Sequence, residues 1–206
     1  MALKIYGVAR SRAFRTLWMA KELGLDYDHV KTDFATGETR QPQFLALNPS
    51  GHIPVIDDGG FVLWESMAIN LYLAKKHSLG RLYPSHLEDE ARAWQWSFWG
   101  MTEVEPPVHT ALMNRAVYPE DRRDAGAADA AEKRLAEPLR VLDGALSRSA
   151  NLIGGNFTVA DLNVASILSW ARPAQIDMAP FPKVVEWLKN CAERPAARAA
   201  RQLQRE

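Results

Sequence analysis

A chain of 206 residues in which 47% are hydrophobic and 24% charged is typical of a globular protein with one large domain or two small ones, and we expect two. Its 25 basic and 25 acidic side chains give a formal net charge of zero, which argues against nucleic acid or an anionic membrane surface as a partner. A single cysteine, Cys191, excludes an internal disulfide, the start MALKIYGVAR lacks the apolar run of a signal peptide, and no apolar stretch approaches the roughly 20 residues that span a bilayer. These features predict a cytoplasmic protein that does not enter a membrane and whose partners are small molecules.

The first 80 residues alternate between strand-like and helix-like patterns. The run LKIYGV is short and strand-like, whereas apolar residues from Ala13 to Ala20 keep helical spacing, and Gly24 can end that helix in a left-handed turn. Two apolar runs that flank Asp57-Asp58-Gly59-Gly60 predict an antiparallel hairpin. The predicted order is strand, helix, strand, hairpin and helix. The two strands lie at residues 3–8 and 27–33 and the hairpin at 54–64, the first helix ends at Gly24, and the last runs from Ser66 to about His77, with one short helix at most between 34 and 51.

After residue 85 the pattern becomes purely helical and predicts an all-helical second domain. Candidate helices lie at about 86–115, 121–148, 158–171 and 181–192. The pair Ser85 and Glu88 matches a capping box at the start of the first of these helices, and Thr158 with Asp161 matches a second one. If Asp161 is buried, its loss should cost stability but not act directly on any chemistry.

Four sequence features together resemble the cytosolic glutathione S-transferases, of the serine type found in bacteria. These are Ser11 after the first strand, Ile53-Pro54 before the third, Glu65-Ser66 at a helix start, and the segment FTVADLNVASIL. The stretch NPSGHIPVIDDGGFVLWESMAINLYLAKKH is similar to the family's glutathione-binding stretch, and FPKVVEWLKNCAERPA to its closing helices. The resemblance covers nearly the whole chain. It implies an α/β thioredoxin-like glutathione-binding domain at 1–80 and an all-helical domain at 86–206 that contributes the hydrophobic electrophile site.

The resemblance assigns glutathione-binding roles to residues on both sides of the hairpin. Glu65 meets the amine of the tripeptide, and Ser66 at a helix N-terminus binds the γ-glutamyl carboxylate through its N–H and hydroxyl. From the residues alone, Ser66 is equally an N-cap, and both roles are expected together. A cis Ile53-Pro54 bond would leave the Ile53 backbone to pair with the cysteinyl part of glutathione. His52 could reach the glycyl carboxylate, although a solvated surface histidine fits its position as well.

Ser11 is the residue that the resemblance makes the donor to the glutathione thiolate, since a serine hydroxyl can donate without ionising. Lowering a thiol pKa of about 8.5 by roughly 2 units requires about 3 kcal/mol. Arg12, counted among the glutathione-binding residues, belongs to a group of basic residues near the N-terminus that can contribute positive potential, with Lys4, Arg10 and Arg15. The residues alone favour Ser11 as an N-cap. Tyr6, at the end of the first strand where tyrosine-type transferases carry their donor, is the alternative.

The long helix predicted from residue 86 carries more aromatic surface than one helix face can bury. By resemblance, it lines the electrophile pocket on one side and a two-fold dimer interface on another. Met101, His109 and Met113 are the candidate pocket residues, although side chains at helical spacing can equally belong to the core.

The implied function is that of a homodimeric enzyme, a glutathione S-transferase, which uses glutathione as co-substrate and needs no metal. It would stabilise the thiolate and conjugate it to a hydrophobic electrophile. The run Arg10-Ser11-Arg12 contains no cysteine, which argues against mixed-disulfide chemistry and against the maleylacetoacetate isomerase branch with its serine-serine-cysteine run. Glutathione-dependent peroxidase, dehalogenase or isomerase activity stays open, because each begins with the same thiolate. A non-catalytic ligand-binding or regulatory role for a protein with this fold also stays open.

Overall fold

The computed structural model describes residues 2–205, and four short strands form one sheet near the N-terminus. The strand order is β2–β1–β3–β4, where β1 pairs with β2 in parallel and the other two pairs are antiparallel. The order of strands and helices over the first 80 residues is the predicted one. The bounds are β1 Leu3–Tyr6, α1 Ala13–Leu23, β2 Tyr27–Val30, α2 Pro42–Leu45, β3 Val55–Asp58, β4 Phe61–Trp64 and α3 Ser66–Ser78.

Alternate strand residues pack against different helices on the two faces of this sheet. Ile5 stands opposite Ile56 in the β1–β3 register, and both are fully buried. Tyr6 stands opposite Val55 on the other face, where it packs in a cluster with Phe44 of α2 and with Ile53. α1 and α3 pack against each other and against the strands. The register places the end of β1, the start of β3 and the end of β4 side by side, at the edge of the sheet where the chain leads into α1 and α3.

Two turns form as the glycine pattern predicts. Gly24 ends α1 with φ of 64°, in the left-handed region that favours glycine, and its N–H reaches the carbonyl of Lys21. Gly59 and Gly60, with φ of 67° and 99°, turn β3 into β4. The Asp57 carboxylate accepts the Gly60 N–H at 2.7 Å and fixes this turn.

A polar contact ties the β3–β4 hairpin to α3. Asp58 accepts hydrogen bonds from Lys76 Nζ at 2.5 Å and from the Tyr72 hydroxyl at 2.8 Å. Partial burial raises the pKa of Asp58, but these two donors and the nearby positive charge lower it by more, so the pKa lies below its ordinary value. The second half of α3 is therefore tied to the hairpin that precedes it.

The helices that follow Pro84 form a second unit. The contacts divide the chain into the residues up to Tyr83 together with those from Glu193, and Pro84–Ala192. No helix within residues 2–205 is long and apolar enough to cross a membrane. The remaining helices are α4 Leu87–Trp99, α5 Glu105–Leu112, α6 Ala125–Leu146, α7 Val159–Leu168, α8 Pro182–Glu193 and α9 Pro195–Gln202.

The prediction of one continuous helix at 86–115 is wrong. Wide π-helical turns at Gly100–Val104 and Met113–Val117 stand before and after α5. Pro106 and Pro107 follow the first of these turns. Since proline has no N–H, neither residue can donate to the carbonyl four residues earlier, and the regular α-helical ladder cannot continue there. Asp124 caps α6 by accepting the Ala127 N–H at 2.9 Å, which sets its start later than predicted.

One of the two predicted capping boxes forms. Thr158 and Asp161 cap α7 reciprocally, and the fully buried Asp161 also accepts hydrogen bonds from Leu152 N and Trp187 Nε1 at 2.9 and 3.0 Å. The box predicted for Ser85 and Glu88 is wrong. α4 begins at Leu87 with His86 in the N-cap position and no side-chain cap, so Glu88 stands one residue too early to complete a box.

The final helix packs with the first unit, where α9 lies against α1. Arg194 makes a two-pronged ion pair with Glu22, with Nε–Oε1 and Nη2–Oε2 distances of 2.6 and 2.8 Å. Glu22 also accepts the Trp18 Nε1–H at 3.0 Å. These contacts fix the C-terminal half of α1, the helix that the candidate residues Ser11 and Arg12 precede.

Candidate functional site

The N-terminus of α3 in the first unit has an unusual backbone geometry and no side-chain cap. Glu65 occupies the N-cap position with φ of 75° and ψ of 112°, a positive φ that is uncommon for a residue other than glycine. No side chain caps this terminus, and the first turn contains no acidic residue. Its backbone N–H groups and the positive end of the helix dipole are therefore available to a carboxylate.

Ser66 does not cap α3, contrary to the expectation that it would combine capping with binding. Because Glu65 holds the N-cap position, Ser66 is the first helical residue, and only 3% of it is exposed. Its Oγ lies 3.3 Å from Nη1 of Arg15, a residue of α1 that is 51 positions away. The Glu65 side chain is exposed beside it. The two residues predicted to meet the γ-glutamyl group therefore stand together at the helix start.

The Ile53-Pro54 peptide bond is cis, as the resemblance implies. Both residues are buried, and the Ile53 backbone forms no hydrogen bond with any residue between 2 and 205. His52 precedes them with an exposed side chain, while its carbonyl accepts the Asn48 Nδ2–H at 2.7 Å. The chain thus presents an exposed histidine next to a backbone segment that remains free to pair.

Ser11 lies in the turn between β1 and α1, where its hydroxyl is already engaged. Its Oγ donates to the Val8 carbonyl at 2.7 Å and accepts the Ala13 N–H at 3.1 Å. Arg12, rather than Ser11, occupies the N-cap position of α1, and it makes no side-chain cap. To donate to a sulfur atom, the Ser11 hydroxyl would have to rotate away from Val8 while it keeps the Ala13 N–H as its donor.

Tyr6 and the basic residues near the N-terminus differ in their surroundings. The Tyr6 side chain is half-buried in the cluster of Phe44, Ile53 and Val55, so it stands next to the cis peptide bond. Arg10 pairs with Asp33. Because this ion pair largely cancels the charge of Arg10, the positive potential expected beside Ser11 has fewer sources than the sequence suggests.

Two arginines that were not predicted as glutathione-binding residues lie beside the predicted ones. Arg15 is one, through its contact with Ser66. Arg40 is the other, since its Nη1 donates to the Ser50 carbonyl at 3.1 Å and lies over Gly51, directly before His52. Gly51 has φ of 66°, and a Cβ at that position would stand 2.6 Å from Arg40 Nη1. Its requirement for glycine is the one local signal in the sequence that could have pointed to this contact.

The candidate pocket residues belong to the second unit and lie on three consecutive segments. Met101 is in the first π-helical turn, His109 is in α5, and Met113 begins the second π-helical turn. All three are half-buried. The His109 ring packs against Trp170, with 5.9 Å between the ring centroids. Among residues 2–205, no group of three or more His, Cys, Asp or Glu side chains could hold a metal ion.

Comparisons with known proteins identify the family. The model of the glutathione S-transferase N-terminal domain matches residues 1–75, and that of the C-terminal domain matches residues 104–195. Glutathione S-transferase 3 from Zea mays is 36% identical over 201 residues, which cover 94% of this chain and 90% of the relative. The chain belongs to the glutathione S-transferase family. The predictions of the family and of a transferase enzyme are thereby confirmed.

Bacterial relatives and solved structures agree with this assignment. Glutathione S-transferase GstB from Escherichia coli strain K12 is 29% identical over 186 residues, covering 89% of each chain. The theta class glutathione S-transferase from Xanthomonas axonopodis pv. citri, solved with glutathione bound, superposes with a TM-score of 0.91 at 30% identity and covers 97% of this chain and 96% of that one. The predicted fold class, a thioredoxin-like α/β domain with an all-helical domain, is also confirmed.

Proposed function

We propose that this glutathione S-transferase conjugates glutathione to a hydrophobic electrophile. The observation that carries the proposal is the uncapped N-terminus of α3, where Glu65 and the buried Ser66 stand together. A γ-glutamyl carboxylate would accept hydrogen bonds from the Ser66 N–H and hydroxyl, and Glu65 would meet the amine. Glutathione is thus the co-substrate, and no metal takes part.

The remaining parts of the tripeptide would pair with other residues of the first unit. The backbone N–H and C=O of Ile53, preceding Pro54, would pair with the cysteinyl backbone. His52, with Arg40 beside it over Gly51, would attract the glycyl carboxylate. Arg12 at the start of α1 would contribute positive potential. In this division, residues 1–80 bind glutathione and residues 86–206 contribute the electrophile site.

Catalysis would rest on holding the cysteinyl sulfur as a thiolate. The Ser11 hydroxyl would leave the Val8 carbonyl and donate to the sulfur, while the Ala13 N–H continues to donate to its oxygen. A hydroxyl that accepts one hydrogen bond is polarised and becomes a better donor. Tyr6 is the alternative donor. Met101, His109 and Met113 would line the electrophile pocket, and the enzyme would act as a cytoplasmic homodimer.

The proposal is tested by comparing Ser11→Ala with Tyr6→Phe, each of which removes one hydroxyl. With glutathione and chlorodinitrobenzene as substrates, we expect Ser11→Ala to lower kcat by about 10-fold to 100-fold, the value of one hydrogen bond to a charged group. Tyr6→Phe should change kcat by less than about threefold. The opposite pattern would transfer the donor role to Tyr6, and no turnover by the wild type would favour the non-catalytic alternative.

Other chemistries of the same thiolate are distinguished by substrate. Peroxide reduction, dehalogenation and isomerisation would each use the glutathione site as described and differ only in the second reactant. Assays with an organic hydroperoxide and with a halogenated acid therefore accompany the chlorodinitrobenzene assay. A rate with either one that exceeds the conjugation rate by tenfold or more would replace conjugation as the main activity.

A further inference from the structure

Arg15 is a buried cation whose position places it in the glutathione site, although the sequence suggested for it only a general positive potential. It lies in α1 and is 1% exposed. A buried guanidinium is costly unless it is hydrogen-bonded and balanced by negative charge. Its Nη1 lies 3.3 Å from Ser66 Oγ, directly beneath the N-terminus of α3. The charge is therefore held under the place where the proposed function puts a carboxylate.

The contact with Arg15 determines what the Ser66 hydroxyl can do. A guanidinium has only donors, so Ser66 Oγ must accept in this hydrogen bond. The hydroxyl hydrogen of Ser66 is then directed away from Arg15 and is available to an acceptor at the helix start. A carboxylate is such an acceptor, and a donor that is itself polarised by a cation binds it more strongly.

A second contact fixes the geometry. Asn70, which follows Ser66 by one helical turn, is fully buried and donates from Nδ2 to the Arg15 carbonyl at 3.3 Å. The backbone and the side chain of Arg15 are thus both bonded to α3, at two residues on the same face of that helix. This arrangement holds the guanidinium against Ser66 and limits its movement.

We propose that Arg15 is a positioning residue for anion recognition: it turns the Ser66 hydroxyl into a dedicated donor and places a positive charge beneath the bound carboxylate. The inference rests on the proposed function, since the carboxylate in question is that of the γ-glutamyl group. It adds to that function a specific dependence of glutathione affinity on a residue from α1.

The test measures how strongly the protein prefers a carboxylate at this position. Calorimetric titrations compare glutathione with an analogue in which the γ-glutamyl α-carboxylate is a carboxamide, for the wild type and for Arg15→Gln and Arg15→Met. We expect the wild type to bind glutathione at least about tenfold more tightly than the amide, and each variant to reduce this ratio to about twofold or less. An unchanged ratio in a folded variant would overturn the inference.

A matched control separates positioning from a general effect on α1. Arg194→Gln removes the ion pair with Glu22, at the other end of the same helix, without touching Ser66. It should lower the melting temperature but leave the ratio of the two affinities at the wild-type value. If Arg15→Gln and Arg15→Met do not fold, Arg15→Lys keeps a charge without the planar fork. A ratio reduced more than about threefold supports the inference, and an unchanged ratio overturns it.

The wild-type titration distinguishes this inference from the proposed function. Absence of glutathione binding by the wild type would contradict the proposed function and the inference together. Normal glutathione binding, with the same preference for the carboxylate in wild type and Arg15 variants, would contradict the inference alone.

Discussion

The serines Ser11 and Ser66 both stand at the beginning of a helix, yet neither hydroxyl occupies an N-cap position. Ser66 accepts from Arg15 and has a hydrogen available to donate, whereas the hydrogen of Ser11 is directed at Val8. Ser66 is therefore ready to bind an anion as it stands, and Ser11 must rotate first. This difference suits a fixed carboxylate site next to a donor that responds to the charge on a thiol.

The Ser66→Ala variant should lower glutathione affinity by about tenfold, because one charge-assisted hydrogen bond to the carboxylate is lost. Isothermal titration calorimetry measures this change. Ser78→Ala is the matched control, since Ser78 lies at the other end of α3 and its hydroxyl accepts hydrogen bonds from the nearby Arg81 Nε and Leu82 N. Equal affinities for wild type and Ser66→Ala would remove Ser66 from the site.

Sequence reasoning located the residues whose roles depend on near neighbours and missed those that depend on distant ones. Glu65 and Ser66 are recognisable because a helix start follows a strand, a local pattern. Arg15 meets Ser66 across 51 positions, and no local signal connects them. The pairing of Arg10 with Asp33 was missed for the same reason. Because of this ion pair, Arg10 contributes little positive potential at Ser11.

Among the helices, those bounded by a strong local signal were predicted well, whereas the interruptions on either side of α5 were not. The Thr158–Asp161 capping box set the start of α7, and the glycines after α1 and within the hairpin set their turns. The π-helical turns around α5 could not be predicted from apolar spacing, because that spacing is nearly the same for a regular and a slightly widened helix.

Asp161→Asn should destabilise the protein by about 1 to 3 kcal/mol, because an amide offers one acceptor oxygen where the carboxylate offers two. The carboxylate now serves Leu152 and Trp187 through one oxygen and Thr158 through the other. Urea unfolding followed by tryptophan fluorescence measures the free energy of unfolding. Asp129→Asn is the control, because the Asp129 side chain is 66% exposed and Arg115 keeps its second ion pair with Glu132, so the loss should be less than about 1 kcal/mol. Equal losses for the two variants would contradict the structural role of Asp161.

For the molecule as a whole, an apolar face on α4 supports the proposed homodimer. Leu87, Trp94 and Phe98 follow one another at helical spacing and are exposed, while the small residues Ala93 and Ser97 face the second unit's core. Ser97 accepts a hydrogen bond there from Asn163 at 2.9 Å. Exposed large apolar side chains on one helix face are typical of an interaction surface. In the proposed homodimer, a second copy of this chain would cover this face.

Phe98→Glu should shift the protein from dimer to monomer, because a carboxylate replaces an apolar ring at the proposed interface. Sedimentation velocity measures the distribution of the two species. Val185→Glu, an exposed apolar position on α8, is the control and should leave the wild-type distribution unchanged. A wild type that sediments as a monomer at micromolar concentration would contradict the dimer itself.

The central claim is that the protein stabilises glutathione as a thiolate, and an ultraviolet pH titration of bound glutathione tests it most directly. The thiolate absorbance is followed for the wild-type complex, with S-methylglutathione as the blank for the protein's own titration. The account predicts a pKa of the bound thiol about 2 units below its ordinary value of about 8.5, with a smaller shift in Ser11→Ala. A bound thiol that ionises at the same pH as in free solution would contradict the account.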